Sequence, residues 1–171
     1  MTMAQVPGRD REKEITRMME AYGGMLAGLC TALLGDPDLA QDMTQETFLR
    51  AFRSFHRFDG RSEKTWLTRI AMNLCRDHWR SRWFRNVDRR VTPEMLPEAA
   101  APEDDAGGQV LIQVRALPAK LKEVVLLKYF QDMDTDEIAR ALRISRATVY
   151  RRLEKAHGIL RIALEGEDLN A

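Results

Sequence analysis

Residues 91–108, "VTPEMLPEAAAPEDDAGG", divide the chain: three prolines, five acids, no base and a terminal glycine pair leave the stretch without hydrophobic periodicity. Proline removes a backbone donor and biases its predecessor away from the helical region. A short acidic tract also buries too little apolar surface to fold alone. The stretch is expected to be an extended, flexible acidic linker. That limits the architecture, because residues 1–90 and 109–171 must each build a core of their own. An apolar content of 44% is enough for two small cores of this kind.

Both sides read as helices, which predicts an all-α fold of two small helical domains. On the first side, residues 1 to about 11 are polar and expected to fray. A helix with Ile15, Met18, Met19 and Tyr22 on one side follows, then an apolar helix from Met25 to Leu34 that Gly35-Asp36-Pro37 stops. From Asp38 a third helix spaces Leu39, Met43, Phe48, Ala51, Phe52 and Phe55 helically and ends before Asp59-Gly60. A fourth runs from near Lys64 to about Trp83, with Leu67, Ile70, Ala71, Leu74 and His78 as its inward stripe. The second side opens with a short helix from near Gln109 to Ala116. Pro118 then starts a helix carrying Leu121, Val124, Val125 and Leu127.

The last two helices form a recognisable motif. Asp134 followed by Glu137 is a capping-box arrangement, and Ile138, Ala139 and Leu142 supply two apolar turns. Arg143-Ile144 leaves room only for a tight turn before Ser145 caps the next helix. In that helix Val149, Leu153, Ala156 and Leu160 recur at spacings of four, three and four and face the core. Arg146, Ala147, Tyr150 and Arg151 are left outward, with Thr148 and Arg152 at the margins. A short turn followed by a helix with arginines near its start fits a helix-turn-helix that enters the major groove.

Charge supports a polyanionic partner. The formal net is only +1, but residues 61–90 carry nine Arg/Lys against three Asp/Glu, and residues 111–161 carry eleven against six. One basic block is most simply a solvated helix face. Two blocks flanking an acidic strip suggest two polyanion-facing surfaces.

With these elements in place, residues 117–161, "LPAKLKEVVLLKYFQDMDTDEIARALRISRATVYRRLEKAHGILR", resemble the promoter-reading domain of an extracytoplasmic-function sigma factor of bacterial RNA polymerase. "LAQDMTQETFLRAFRSFHRF" (39–58) and "TWLTRIAMNLCRDHWRSR" (65–82) are similar to that family's other domain. The resemblance implies that residues 1–90 bind core polymerase and the melted −10 element, that 91–108 link, and that 109–171 read the −35 element. It implies three partners: core RNA polymerase, promoter DNA and an anti-sigma factor.

The resemblance also assigns residues. Asp42, Gln45 and Glu46 match the core-binding helix, whose acidic and amide side chains face the coiled coil of the largest polymerase subunit. Leu49 and Arg53 share their face by helical spacing, while Phe48 belongs to the fold. Asn73, Asp77 and Arg80 match the helix that meets the −10 element. Arg61, Lys64, Arg69 and Arg76 add cations suited to phosphates, with Arg82 beside them. Trp66 is expected to pack; Trp79 and Trp83 are placed either to pack or to stack on unpaired bases. For −35 recognition the residues are Arg146, Ala147, Thr148, Tyr150, Arg151, Arg152 and Lys155. The chain departs from the family pattern in three places: a shorter loop at 59–64, Lys122 where arginine is usual, and Tyr150 where a lysine or polar residue is frequent. Only the last two lie in the promoter-reading half, where they bear on which −35 sequence is read.

Other readings fit less of the chain. A polymerase-independent helix-turn-helix repressor leaves 39–82 unexplained, and a protein-binding adaptor leaves the arginines unexplained. His56, His78 and His157 are dispersed, with no nucleophile or ligand partner at a useful spacing, so no catalytic residue, metal or cofactor is expected. Cys30 and Cys75 sit in apolar helical patterns and are expected to be reduced and buried. The apolar run Met25 to Leu34 is too short to span a bilayer, which takes about 20 residues. The amino terminus has no signal-peptide pattern, and the expectation is a cytoplasmic protein without membrane insertion.

Overall fold

The structure, a computed structural model, describes residues 8–86 and 106–168. Its elements in chain order are α1 (Gly8–Leu34), α2 (Pro37–Arg53), a 3₁₀ turn (Phe55–Arg57), α3 (Glu63–Asn86), α4 (Ala106–Ala116), α5 (Ala119–Val125) running into a π turn (Leu126–Phe130), α6 (Thr135–Leu142) and α7 (Arg146–Asp168). No strand occurs among the described residues. The chain divides into two units, Met1–Arg90 and Val91–Ala171, each described here by itself.

In the first unit α1, α2 and α3 pack against one another in all three pairings. The two helices expected over residues 12–34 are one: α1 runs unbroken through Gly23 and Gly24. Each glycine costs a helix about 1 kcal/mol. Ile15 and Met18 before the pair and Leu26, Leu29, Cys30 and Leu33 after it are all buried, and that continuous face outweighs the local penalty. Met19, expected beside Ile15 and Met18, turns out 47% exposed. The helix also starts at Gly8, earlier than the fraying predicted to about residue 11. Gly35 then takes a left-handed φ of 70°, which a glycine adopts freely, and its N–H donates to Thr31 O at 2.8 Å to close α1. Asp36 caps α2 through Oδ1, which accepts from the N–H groups of Asp38 (3.0 Å) and Leu39 (3.2 Å), with Pro37 at the first turn.

Beyond α2, Phe55, Phe58 and Trp66 gather around the turn, with Phe58 and Trp66 centroids 4.7 Å apart. Trp66 is therefore a packing residue, as expected. Arg17 of α1 bridges Glu14 and Glu63, and Arg11 lies 4.4 Å above the Phe52 ring, so cations on α1 tie it to both neighbouring helices.

In the second unit α5 packs on α7, α6 on α7, and α4 on both α5 and α7. α4 begins at Ala106, three residues inside the span read as linker, and Gly108 is buried there. Residues 91–105 of that span lie outside the described residues. Leu121, Val124, Val125 and Leu127 are buried as predicted, and Leu126 joins them. The π turn was not foreseen: the N–H of Gln131 reaches Leu126 O at 3.2 Å, and Tyr129 and Phe130 are left exposed.

The capping box at Asp134 is present in both directions, Glu137 N–H to Asp134 Oδ1 and Asp134 N–H to a Glu137 carboxylate oxygen, each at 2.8 Å. Ile138, Ala141 and Leu142 form the buried face of α6, so Ala141 takes the place expected for Ala139. Arg143 closes α6 in the left-handed region at φ 54°. Val149, Leu153 and Ala156 anchor α7 in the core, and Leu160 is half-buried.

Candidate functional site

Three outward helix faces carry the residues singled out from sequence. The first is on α2. Ala40, Thr47, Phe48 and Ala51 are buried, which commits one side of the helix to the core. At 100° per residue Asp42, Glu46, Leu49 and Arg53 then line up on the opposite side with Gln45 beside them. Asp42, Gln45, Leu49 and Arg53 are exposed and Glu46 is half-buried. Leu49 is 50% exposed between charged neighbours, and Glu46 Oε1 accepts from Arg50 Nε at 3.2 Å. An apolar side chain ringed by acids, an amide and an arginine can anchor a protein partner while the charges select it.

The second face is on α3. Leu67, Thr68, Ala71, Met72, Leu74 and Cys75 are buried, and Arg69, Asn73, Arg76, Asp77 and Arg80 fall on the reverse side at helical spacing. Asn73, Asp77 and Arg80 are exposed; Arg69 and Arg76 are half-buried and engaged within the chain. Two predicted residues stand apart from this stripe. Lys64 is half-buried on the first turn, on the core side of the helix by its angular position. Arg61, whose side chain is 82% exposed, sits in the preceding loop with Nε 4.0 Å from Asp59 Oδ2. Trp79 is exposed at the flank, whereas the side chains of Arg82 and Trp83 lie outside the described residues.

The third face is the start of α7. With Val149, Leu153 and Ala156 in the core, Ala147, Arg151 and Lys155 form the outermost row. Arg151, Arg152 and Lys155 make no ion pair or hydrogen bond with any described residue, so phosphate or base edges can take their donors without breaking a contact within the chain. Arg152 is half-buried on one flank. Thr148 is committed locally, because its N–H donates to Ser145 Oγ at 3.1 Å and the two hydroxyls lie 2.8 Å apart.

On the other flank Arg146 is not free: its Nε lies 2.9 Å from Asp136 Oδ1 in the first turn of α6. Tyr150, 56% exposed, joins this group; its hydroxyl is drawn below the usual phenol range by hydrogen bonding to Thr135 first and then to Arg146. Any anion that Arg146 is to hold must therefore compete with Asp136. Asp136 and Thr135 were missed from sequence, because they meet α7 only through the crossing of two helices. The signal available was an acidic first turn on the helix preceding a cationic one. Tyr129 and His157, whose hydroxyl and Nε2 lie 2.7 Å apart, were missed for the same reason.

Among the described residues no group of three His, Cys, Asp or Glu side chains is arranged to hold a metal ion, and no helix is long and apolar enough to cross a membrane.

Comparison with known proteins finds two family matches, one in each unit. The Sigma-70 region 2 family matches residues 18–85, which contain α2 and nearly all of α3. The Sigma-70 region 4 family matches residues 109–156, which contain α5, α6 and the start of α7. The chain is similar to the ECF RNA polymerase sigma factor SigL of Mycobacterium tuberculosis, 31% identical over 171 residues covering 95% of this chain and 97% of the relative. It is also similar to the RNA polymerase sigma-E factor of Streptomyces coelicolor, 33% identical over 141 residues covering 81% and 79%. Among solved structures, the sigma factor RpoE in complex with the anti-sigma factor NepR from Bartonella quintana superposes with a TM-score of 0.74 at 19% identity, covering 90% of this chain and 98% of that one. CnrH in complex with the cytosolic domain of CnrY gives 0.71 at 22% identity, covering 93% and 92%. These two likenesses establish a shared all-α fold.

Proposed function

Since the chain belongs to the extracytoplasmic-function sigma factors of bacterial RNA polymerase, we propose that its two helical units divide promoter recognition between them. The function is promoter-directed transcription initiation. The observation that carries the division of labour is that each family match contains a helix, α3 or α7, that turns cations outward and buries apolar residues on its other side.

In this reading α2 docks on the coiled coil of the largest polymerase subunit through Asp42, Gln45, Glu46, Leu49 and Arg53. The α3 stripe of Arg69, Asn73, Arg76, Asp77 and Arg80, with Arg61 in the preceding loop, meets the −10 element, where cations neutralise phosphates and release counterions. Trp79 offers a ring for an unpaired base. In the second unit α7 lies in the major groove of the −35 element. Arg151 and Lys155 reach edges or phosphates there, Ala147 allows close approach, and Arg146, Thr148, Tyr150 and Arg152 border the contact. One small domain holds duplex weakly; two carried on a single polymerase raise the effective concentration for the second contact. The polymerase supplies all bond-forming chemistry, and the chain acts in its compartment, the cytoplasm. RpoE is held by the anti-sigma factor NepR and CnrH by the cytosolic domain of CnrY in the structures above, and an anti-sigma partner is proposed to silence this chain by covering the same faces.

Arg151→Ala should cost about 1–3 kcal/mol of −35 recognition, roughly 5- to 150-fold, if Arg151 grips a guanine bidentately. Competition binding of polymerase holoenzyme to promoters with base changes across the −35 element reads it. A loss confined to certain bases assigns a base contact, and an unchanged profile in a folded variant removes Arg151 from the site.

The division itself is tested with permanganate. Core polymerase plus this chain should make thymines near the start site reactive, and neither alone should do so. A polymerase-independent repressor would occupy its operator alone and melt nothing.

A further inference from the structure

Cys30 of α1 and Cys75 of α3 belong to none of the three faces. They are thiols not joined in a disulfide, buried on helices that pack together, 0% and 2% exposed, with Sγ atoms 3.7 Å apart and so already in van der Waals contact. We propose that this pair is a dithiol site, oxidised by a small uncharged peroxide to an internal disulfide that staples α1 to α3. A disulfide needs an S–S separation of about 2.05 Å, so the sulfurs must close by roughly 1.7 Å, a distance that side-chain torsion and a slight slide of two packed helices can supply.

The surroundings favour the reaction at Cys30. Hydrogen bonding to Cys75 holds its thiol below the usual range, against the opposing effect of burial, and Thr44 of α2 adds to the shift. The Cys30 thiolate attacks one peroxide oxygen, the O–O bond breaks, and the departing oxygen leaves as water after taking the thiol proton. Cys75 sulfur then attacks the resulting sulfenic sulfur. That S–O bond breaks and the oxygen leaves as a second water with the Cys75 proton. Two thiols and one hydrogen peroxide thus become one disulfide and two waters.

Burial selects the oxidant, because a peroxide is little larger than water, whereas a bulky aromatic disulfide cannot enter a seam this closed. Within one chain a single disulfide pairing exists, since the sequence holds two cysteines. The new ring encloses all of α2, so the unfolded chain loses freedom it otherwise regains. The outward faces of α2 and α3 point away from the pair, so polymerase capture should persist after oxidation.

Full-length protein treated with hydrogen peroxide, quenched and alkylated in denaturant tests this. Expected are joint loss of both thiols, a mass lower by two hydrogens apart from methionine oxidation, a linked peptide joining Cys30 to Cys75, and a Tm raised on the order of 10 °C and returned by reductant. Met19, 47% exposed, reports the oxidant dose in the same digest. Both thiols intact after Met19 has become sulfoxide would overturn the proposal. So would sulfinic acid without a linked peptide, a disulfide between chains, or a linked peptide with no rise in Tm. Cys30→Ala serves as the control: it should show no reductant-reversible rise, and such a rise in that variant would contradict the staple. If it does not fold, the linked peptide and Tm of the unmutated chain decide alone.

Discussion

Reversing Asp42 and Glu46 to lysine together should reduce capture of core polymerase by about 30-fold or more, which corresponds to roughly 2 kcal/mol, with no loss of helicity. Both carboxylates lie on the outer side of α2 beside Leu49, and charges pressed against a partner of opposite sign govern association there. The fold should tolerate the change. Among the described residues Glu46 pairs with Arg50 within the helix, and a like-charge i,i+4 pair in its place costs about 0.2–0.5 kcal/mol. Pull-down of core polymerase by the two proteins, with circular dichroism as control, gives the answer. Equal recovery by equally folded proteins would detach this face from polymerase binding.

The next residue pair separates fold from function within one turn. Phe48 is 4% exposed and Leu49 is 50% exposed. Phe48→Ala should destabilise the first unit by about 3–5 kcal/mol, the sum of lost transfer energy and a cavity that α1 and α3 cannot fully close. Leu49→Ala should change stability by no more than about 0.5 kcal/mol and still weaken polymerase capture. Urea denaturation of each variant, read alongside the pull-down, distinguishes them. A mild Phe48→Ala effect would mean that the core seats α2 less firmly than its burial indicates.

Much of this was legible because local chemistry and tertiary packing agree. The capping box at Asp134 and Glu137, the stop at Gly35-Asp36-Pro37 and the inward row of Val149, Leu153 and Ala156 each rest on residues within a few positions of one another. What escaped depends on distant neighbours. Gly23-Gly24 looks like a break in isolation, and only burial on both sides of it keeps α1 whole. Ala106-Gly107-Gly108 has poor helix propensity, yet it forms the first turn of α4. The Asp136–Arg146 pair joins two helices across a turn, and the Cys30–Cys75 contact spans 45 positions; neither has a periodic signature. The site was legible as faces. The partner that restrains Arg146 was not, because a side chain's availability depends on what lies across from it.

Run-off transcription reconstituted from core polymerase, this chain and promoter fragments decides whether the chain directs initiation. Core enzyme alone should give end-initiated or no product. Adding the chain should yield a discrete transcript from a fixed start, lost when either the −10 or the −35 element is scrambled. Identical transcript patterns with and without the chain, on promoters that it binds as a folded protein, would contradict the account.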